Sequence, residues 1–499
     1  MMTAHRTHRT LRGIAAALGL AALVAMPANA QQPRTVHVSL AEALQLAESR
    51  SEAVAVARAG LTRATGQRLV TRSQAIPQLS GTGGYTKTLK SQFEGLSGPA
   101  PDTTGPASLC APRIPANATQ AQRDAAVAQA TTCRSGSGFD LSGAGFGAKN
   151  QWQVGLNASY NVFTGGRIAG QTQAAVAQER SASIEVEAQR AQVKLDMAQA
   201  YFDAALNDKL VSIAAASLVQ TEDLLKQTEL GREVGDVSEF DVLRAQVTRD
   251  NQRPALIQAR SNRDIAYLRL KQLLEMPLDD SLALSTTLDD TPPSGPPDIP
   301  AAAAAGARPP VADRAPVREL EQAVIAQEGL LKAAKAERLP SFSVISGYQR
   351  LYFPNTFLPN LAQARQNWTV GVSTNFSLFT GGRIQGNTLV AQAGLDEARQ
   401  RLKQTRELTA LDSRVAQSQL DQAQAAWLAS AGTAEQARRA LEIDQLRYKE
   451  GISTQTDLAQ SRLLVEQAGA NRAVAARNLA VARLRMQLLN DLPIQSASR

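Results

Sequence analysis

The chain states one long pattern twice. Trp152 to Pro277 overlays Trp368 to Pro493 at one constant offset, with no net gap. Phe163-Thr164-Gly165-Gly166-Arg167-Ile168 returns as Phe379-Thr380-Gly381-Gly382-Arg383-Ile384. Gly170 returns as Gly386, Leu195-Asp196 as Leu411-Asp412, Gly235 as Gly451, and Asp241 as Asp457. A repeat longer than about 100 residues is a tandem duplication, not a short solenoid unit. Each copy reads as helix, strand, loop, strand, long helix and return helix, too elongated for an ordinary globular domain.

Apolar alternation marks the strands. Trp152, Val154, Leu156, Ala158, Tyr160 and Val162 interleave with Gln153, Gly155, Asn157, Ser159 and Asn161. The second copy repeats this from Trp368 to Leu378. A period of two over this length puts one face in an apolar medium and the other in a polar one. About 11 tilted residues also suffice to cross a bilayer as β-structure. Weaker partner strands are expected at Gln78–Leu89 and Ser341–Phe353. The loop between strands is long in the first copy, residues 91–148, and short in the second, near Pro354 to Gln366. Of 21 aromatic residues, 15 lie between Tyr85 and Phe163 or between Phe342 and Phe379. That clustering suits the half-wet girdles of a membrane sheet better than the core of a soluble sandwich.

Between the strands, Arg167 to Gly231 and Arg383 to Tyr448 each run without proline. At 1.5 Å per residue, such a helix spans roughly 100 Å. Neither is apolar enough to cross a membrane. Leu206, Leu210 and Ile213 fall at coiled-coil spacing, and the same register runs on through Ser217 and Gln220 to Leu224, so the seam is imperfect. Return helices are expected from Ser238 to about Met276 and from Thr454 to about Leu489, with a kink at Pro254. Shorter helices, Ser39 to Ala75 and Pro316 to Arg338, stop before Pro77 and Pro340. Gly165, Gly166, Gly381 and Gly382 do the reverse, since glycine tolerates the positive φ of a sharp strand-to-helix exit.

The first 30 residues read as a secretory signal, with Arg6, Arg9 and Arg12 before an apolar stretch from Ile14 to Met26 and Ala28-Asn29-Ala30 at the cleavage site. Residues 31–276 then form the first repeat, 277–312 a linker, 313–493 the second repeat and 494–499 a tail. Removing the three signal arginines lowers the formal charge from +8 to +5, with no basic cluster, which speaks against nucleic acid as a partner. Cys110 and Cys133 share one Gly/Ser/Pro-rich segment, and an oxidising compartment favours a local disulfide between them. With His37 alone in the mature chain, no metal site is expected. No cofactor loop or nucleophile motif is present either, so the chain does not read as an enzyme.

Four membrane-length strands cannot close a barrel, and an open sheet edge cannot face lipid. Several chains must therefore combine. Two chains would supply eight strands, generally a filled barrel, and three would supply twelve, enough to enclose water.

These segments resemble the TolC family of outer-membrane efflux proteins. The resemblance rests on the paired Phe-Thr-Gly-Gly-Arg segments, Tyr448-x-x-Gly451 with Asp457-Leu458, the weaker Gly235 with Asp241-Val242-Leu243, and the opening Ser39-Leu40-x-x-Ala43-Leu44. It implies an α+β membrane protein: a homotrimeric outer-membrane β-barrel of about four strands per chain, continued by an α-helical periplasmic barrel. It also implies a passive exit duct that docks a periplasmic adaptor and an inner-membrane transporter of RND or ABC type. Carried over by motif, Gly235, Asp241, Tyr448, Gly451 and Asp457 belong to the periplasmic tips, where the gate and adaptor contact lie. Pro77, Pro340, Arg167 and Arg383 belong with the paired glycines at the strand–helix junctions. Two readings of Asp457 stand side by side, a carboxylate ring lining the pore and an ordinary helix-start carboxylate. No cysteine follows the cleavage site, which favours the type I secretion branch over the lipidated drug-efflux branch. A surface-anchored coiled-coil stalk without transport would share many of these features, but its helices would not double back.

Overall fold

The computed structural model describes residues 36–90, 114–132, 148–285, 288, 311–354, 356–359 and 364–494. The signal segment, Cys110, Cys133, most of the 277–312 linker and residues 495–499 lie outside the described residues.

In chain order the elements are β1 (Val36–Val38), α1 (Leu40–Arg50), α2 (Glu52–Ser73), β2 (Gln78–Lys87), α3 (Gln120–Thr132), β3 (Asn150–Phe163), α4 (Arg167–Glu233) and α5 (Glu239–Leu273). The second half holds β4 (Leu282–Leu284), α6 (Ala315–Ala336), β5 (Ser341–Tyr352), β6 (Arg365–Asn375), α7 (Arg383–Lys449) and α8 (Gln455–Leu488). Both long helices contain 67 residues, and their ends fall at equivalent positions of the repeat.

The junctions follow from local chemistry. Gly165 and Gly166 take φ of +63° and +93°, and Gly381 and Gly382 take +56° and +86°. A side chain at Gly165 would also collide with Leu339 Cβ at 2.8 Å, so this turn has room only for hydrogen. Pro77 and Pro340 each stand directly before a strand. Ser39 forms a capping box with Glu42. The helix expected from Ser39 to Ala75 instead breaks at Ser51, whose hydroxyl accepts a bond from Val54 N and starts α2 afresh. The helix α3 was not foreseen within the 91–148 segment. Pro254 does not interrupt α5.

The strands β2, β3, β5 and β6 form one antiparallel sheet in the order β2-β3-β5-β6. Register places Tyr85 opposite Trp152, Leu156 opposite Tyr348, and Tyr348 opposite Trp368. One face therefore collects Leu79, Val154, Leu156, Tyr160, Val344, Val370 and Val372, all exposed in the single chain. The other collects Ser80, Thr82, Asn157, Ser159, Ser343, Gly347, Thr369 and Ser373. Tyr85, Trp152 and Phe357 cluster at one end with ring centroids 4.9–5.7 Å apart, and Phe163 meets Phe342 at the other. Eleven residues at about 3.3 Å each separate these aromatic ends along the strand, and at the roughly 45° tilt usual for outer-membrane strands such a length covers about 25 Å of height. The strand expected to run to Leu378 stops at Asn375, because its partner β5 begins at Ser341 and Pro340 has no N–H to extend the ladder.

Below the sheet, α4 packs against α2 and α6 in its upper half and against α5 and α8 in its lower half, while α7 packs on α6 and α8. The interfaces are thin. At the α4–α6 crossing, a Cβ on Gly170 would lie 2.4 Å from Gly329 O, and one on Gly329 would lie 2.5 Å from Gly170 O. Ala174, Ala177 and Ala326 continue this contact. The thickest core lies midway, where Tyr201, Phe202, Leu270, Trp427 and Leu479 pack with Val38 and Leu44 beside the small parallel β1–β4 pair.

A buried charge network closes that middle region. Arg314 is fully buried; its guanidinium donates to Asp412 Oδ2 at 2.9 Å, Ser413 Oγ at 2.8 Å and Leu492 O at 3.4 Å. Arg485 donates to the other oxygen of Asp412 at 3.1 Å. Asp196, the counterpart of Asp412 in the first copy, accepts from Gln192 instead, and burial pushes its carboxyl above the usual carboxylate range.

Two outcomes follow for purified protein unfolded by heat or denaturant and followed by helical circular dichroism. Arg314→Met leaves Asp412 less compensated and lowers stability by about 3–5 kcal/mol, while adding Asp412→Leu recovers most of the loss. Gly170→Val destabilises by about 1–3 kcal/mol through overpacking, since a Cβ there already lies 2.4 Å from Gly329 O.

Candidate gate at the helical tips

The two helix hairpins end in similarly built turns. In the first, Gly235 takes φ +88° and the chain closes through Asp236 N to Gly231 O at 2.9 Å. Ser238 then caps α5, accepting from Asp241 N at 3.2 Å and donating to Asp241 Oδ2 at 2.6 Å. In the second, Gly451 takes φ +71° and Ile452 N reaches Arg447 O at 2.8 Å. Thr454 caps α8 in a full capping box with Asp457. Thr454 N and Oγ1 both donate to Asp457 Oδ2, at 2.9 and 2.7 Å. Those bonds, backbone first, with Arg447 contributing least, hold the Asp457 carboxyl below the usual carboxylate range. Asp457 is thus fully exposed yet fixed in direction, with both bonds on one oxygen.

The tips differ in their support. Leu224 of α4 inserts against Leu441 and Leu458, with Tyr448 half-buried beside them. Tyr448 and Asp457 therefore share one packed end with the lower part of α4. Gly235 and Asp241 belong to the α4–α5 hairpin, held by Leu225, Val242 and Ala245. Sequence reasoning missed Asp444, whose carboxylate accepts from Ser461 Oγ and whose carbonyl accepts from Ser453 Oγ at 3.4 Å, tying α7 to α8. Its only signal was a carboxylate close before the Tyr448-x-x-Gly451 turn. At the upper junctions, Arg383 donates to Glu337 at 2.9 Å, tying α7 to the end of α6. Arg167 occupies the equivalent first position of α4, with no ion pair among the described residues.

One chain thus offers a sheet with one apolar and one polar face, continued by long doubled-back helices. The chain belongs to the outer membrane efflux protein family, whose model matches residues 43–275 and 312–490. Solved structures share the fold at low identity. The Campylobacter jejuni CmeC outer membrane channel aligns with TM-score 0.68 and 16% identity, covering 91% of this chain and 86% of that one. Vibrio cholerae VceC gives 0.66 and 16%, covering 90% and 96%. The open state of the Neisseria gonorrhoeae MtrE outer membrane channel gives 0.65 and 18%, covering 92% and 91%. No curated protein sequence matches the chain. The family places the protein in the outer membrane, and among the described residues no helix is long and apolar enough to cross a membrane.

The capping geometry predicts a local, pH-dependent effect. The folded pKa of Asp457 lies below its unfolded value, so the cap contributes fully above the unfolded carboxylate pKa near about 4 and is lost as pH falls through the folded value. Asp457→Ala lowers hydrogen-exchange protection in the first turn of α8 at pH 7, and the difference from the parent protein vanishes in strong acid.

Proposed function

We propose that three copies of this chain form a passive outer-membrane exit duct. Each contributes four strands to a twelve-stranded barrel and its helix hairpins to a periplasmic tunnel. The observation that carries this reading is the sheet itself: β2 and β6 pair on one side only among the described residues, beneath a face of exposed Val, Leu, Tyr and Trp. In lipid, those edges are satisfied only by the neighbouring copy's strands. The helices support the same count. Exposed Phe240, Leu243, Val247 and Ile257 on α5, and Leu428, Ile443 and Leu446 on α7, supply apolar flanks for a neighbouring hairpin.

The duct serves a tripartite efflux or type I secretion system, with a periplasmic adaptor and an inner-membrane transporter supplying the energy and the cargo, small molecules or proteins. Gly235, Asp241, Tyr448, Gly451 and Asp457 lie at its closed end, Asp457 and Asp241 as rings of fixed carboxylates that favour cations. The protein performs no chemistry of its own.

Planar-bilayer recording tests this. The purified protein gives small, cation-selective openings. Asp241→Asn with Asp457→Asn lowers the cation-to-anion permeability ratio severalfold, and Tyr448→Ala raises the open fraction. Absence of conductance from both the parent and the tip variants contradicts the duct.

A further inference from the structure

Strand register assigns every side chain of the sheet to a face. Val154 pairs with Gly83 on one side and with Arg350 on the other, and directly paired residues share a face. Arg350 therefore stands on the apolar face, among Val154, Leu156 and Tyr348. Arg365, paired with Leu351, takes the polar face instead. Apart from Lys87 at the end of β2, no other charged residue of the four strands shares the apolar face with Arg350.

The guanidinium is held in place. Its Nε donates to Tyr348 Oη at 2.9 Å, and it lies 5.9 Å from the centroid of that ring. A phenol carries no charge, so this bond orients the cation without neutralising it. One pair nearer the loop end stand Tyr85, Trp152 and Tyr352, an aromatic row of the kind that marks the border between acyl chains and head groups. Arg350 lies just inside that row, within reach of the border for a long flexible stem. Position 350 is level with Gly83, four residues or about 13 Å short of the end of β2 at Lys87. Irregular backbone does not occur on a lipid-covered face, so no loop descends there to meet the charge.

A groove of about 370 Å³ runs beside it, lined by Gly81, Val154, Leu156 and Tyr348, with Arg350 toward the loop end. Glycine inside a strand often marks a close approach by another molecule. Here Gly81 and Gly83 keep the groove open: a Cβ on Gly81 would meet only Leu156, at 3.9 Å, and one on Gly83 would meet nothing within 4 Å. An apolar slot with a fixed cation at one end matches a lipid, chain and head group together.

Resting on the reading that this face meets lipid, we propose that Arg350 and the groove bind a phosphate-bearing acylated glycolipid. The helices leave the sheet at the opposite end, through Pro77, Gly165, Pro340 and Gly381, so the site belongs to the leaflet away from them. In an outer membrane that leaflet is built of phosphorylated glycolipid. The guanidinium takes the phosphate, and one acyl chain lies along the groove over Gly81. The site is complete within one chain.

Native mass spectrometry of the detergent-solubilised full chain, titrated with diphosphoryl lipid A, tests this. Dephosphorylated lipid A controls for the charge, and glucose 1-phosphate for the chain. Lipid A binds once per chain, at least fivefold more tightly than its dephosphorylated form, and glucose 1-phosphate leaves no adduct. Arg350→Gln weakens lipid A at least fivefold, and Arg350→Lys weakens it less. Gly81→Leu fills the groove while keeping every charge, and weakens it as much; this variant decides the matter if Arg350→Gln fails to assemble. Arg365→Gln removes the same charge from the other face and leaves binding unchanged. The proposal is overturned by no saturable lipid at one per chain, by equal binding of the dephosphorylated form or of glucose 1-phosphate, by unchanged binding in Arg350→Gln or Gly81→Leu, or by equal loss in Arg365→Gln. An assembly that conducts normally but holds no lipid A overturns this site alone, whereas a chain that neither assembles nor conducts overturns the duct and the site with it.

Discussion

Lipid offers no hydrogen bonds, and that constraint organises this protein. A backbone N–H or C=O left at a sheet edge in the hydrocarbon layer costs several kcal/mol. The chain supplies four strands and two open edges among its described residues. Duplication produced four strands where a single copy has two, but closure still lies beyond one polypeptide. In the proposed trimer the neighbouring copies' strands satisfy those edges, and a hollow passage is the geometric consequence.

The helical half answers a different constraint. A tube of long helices cannot have a thick core, so its interfaces use Gly and Ala to bring backbones together. Gly170 against Gly329 is the closest helix approach that a glycine allows among the described residues of one chain. Larger apolar side chains concentrate at mid-height, where the small β1–β4 pair adds a second layer. There the chain commits an arginine to full burial, joining the start of α6, the middle of α7 and the C-terminal segment through Arg314, Asp412 and Leu492.

Much of this was legible in the sequence because the physics was local. Alternation gave the strands of both copies, and proline and paired glycines gave their junctions. The errors came where a second element decides the outcome. β6 ends early because its partner does, and the first helix breaks at Ser51 because a hydroxyl can cap a new start there. Arg314 carried no local signal at all, since its partners lie about 100 and nearly 180 residues away. Asp457 was legible as a charged helix start, and the structure adds that Thr454 fixes one of its oxygens.

Native mass spectrometry of the protein released from detergent bears most directly on the pooling of strands. The account predicts a single assembly of three chains that persists until the micelle is stripped and the sheet unfolds. A folded species of one chain, stable in the same detergent with its strands intact, would contradict it.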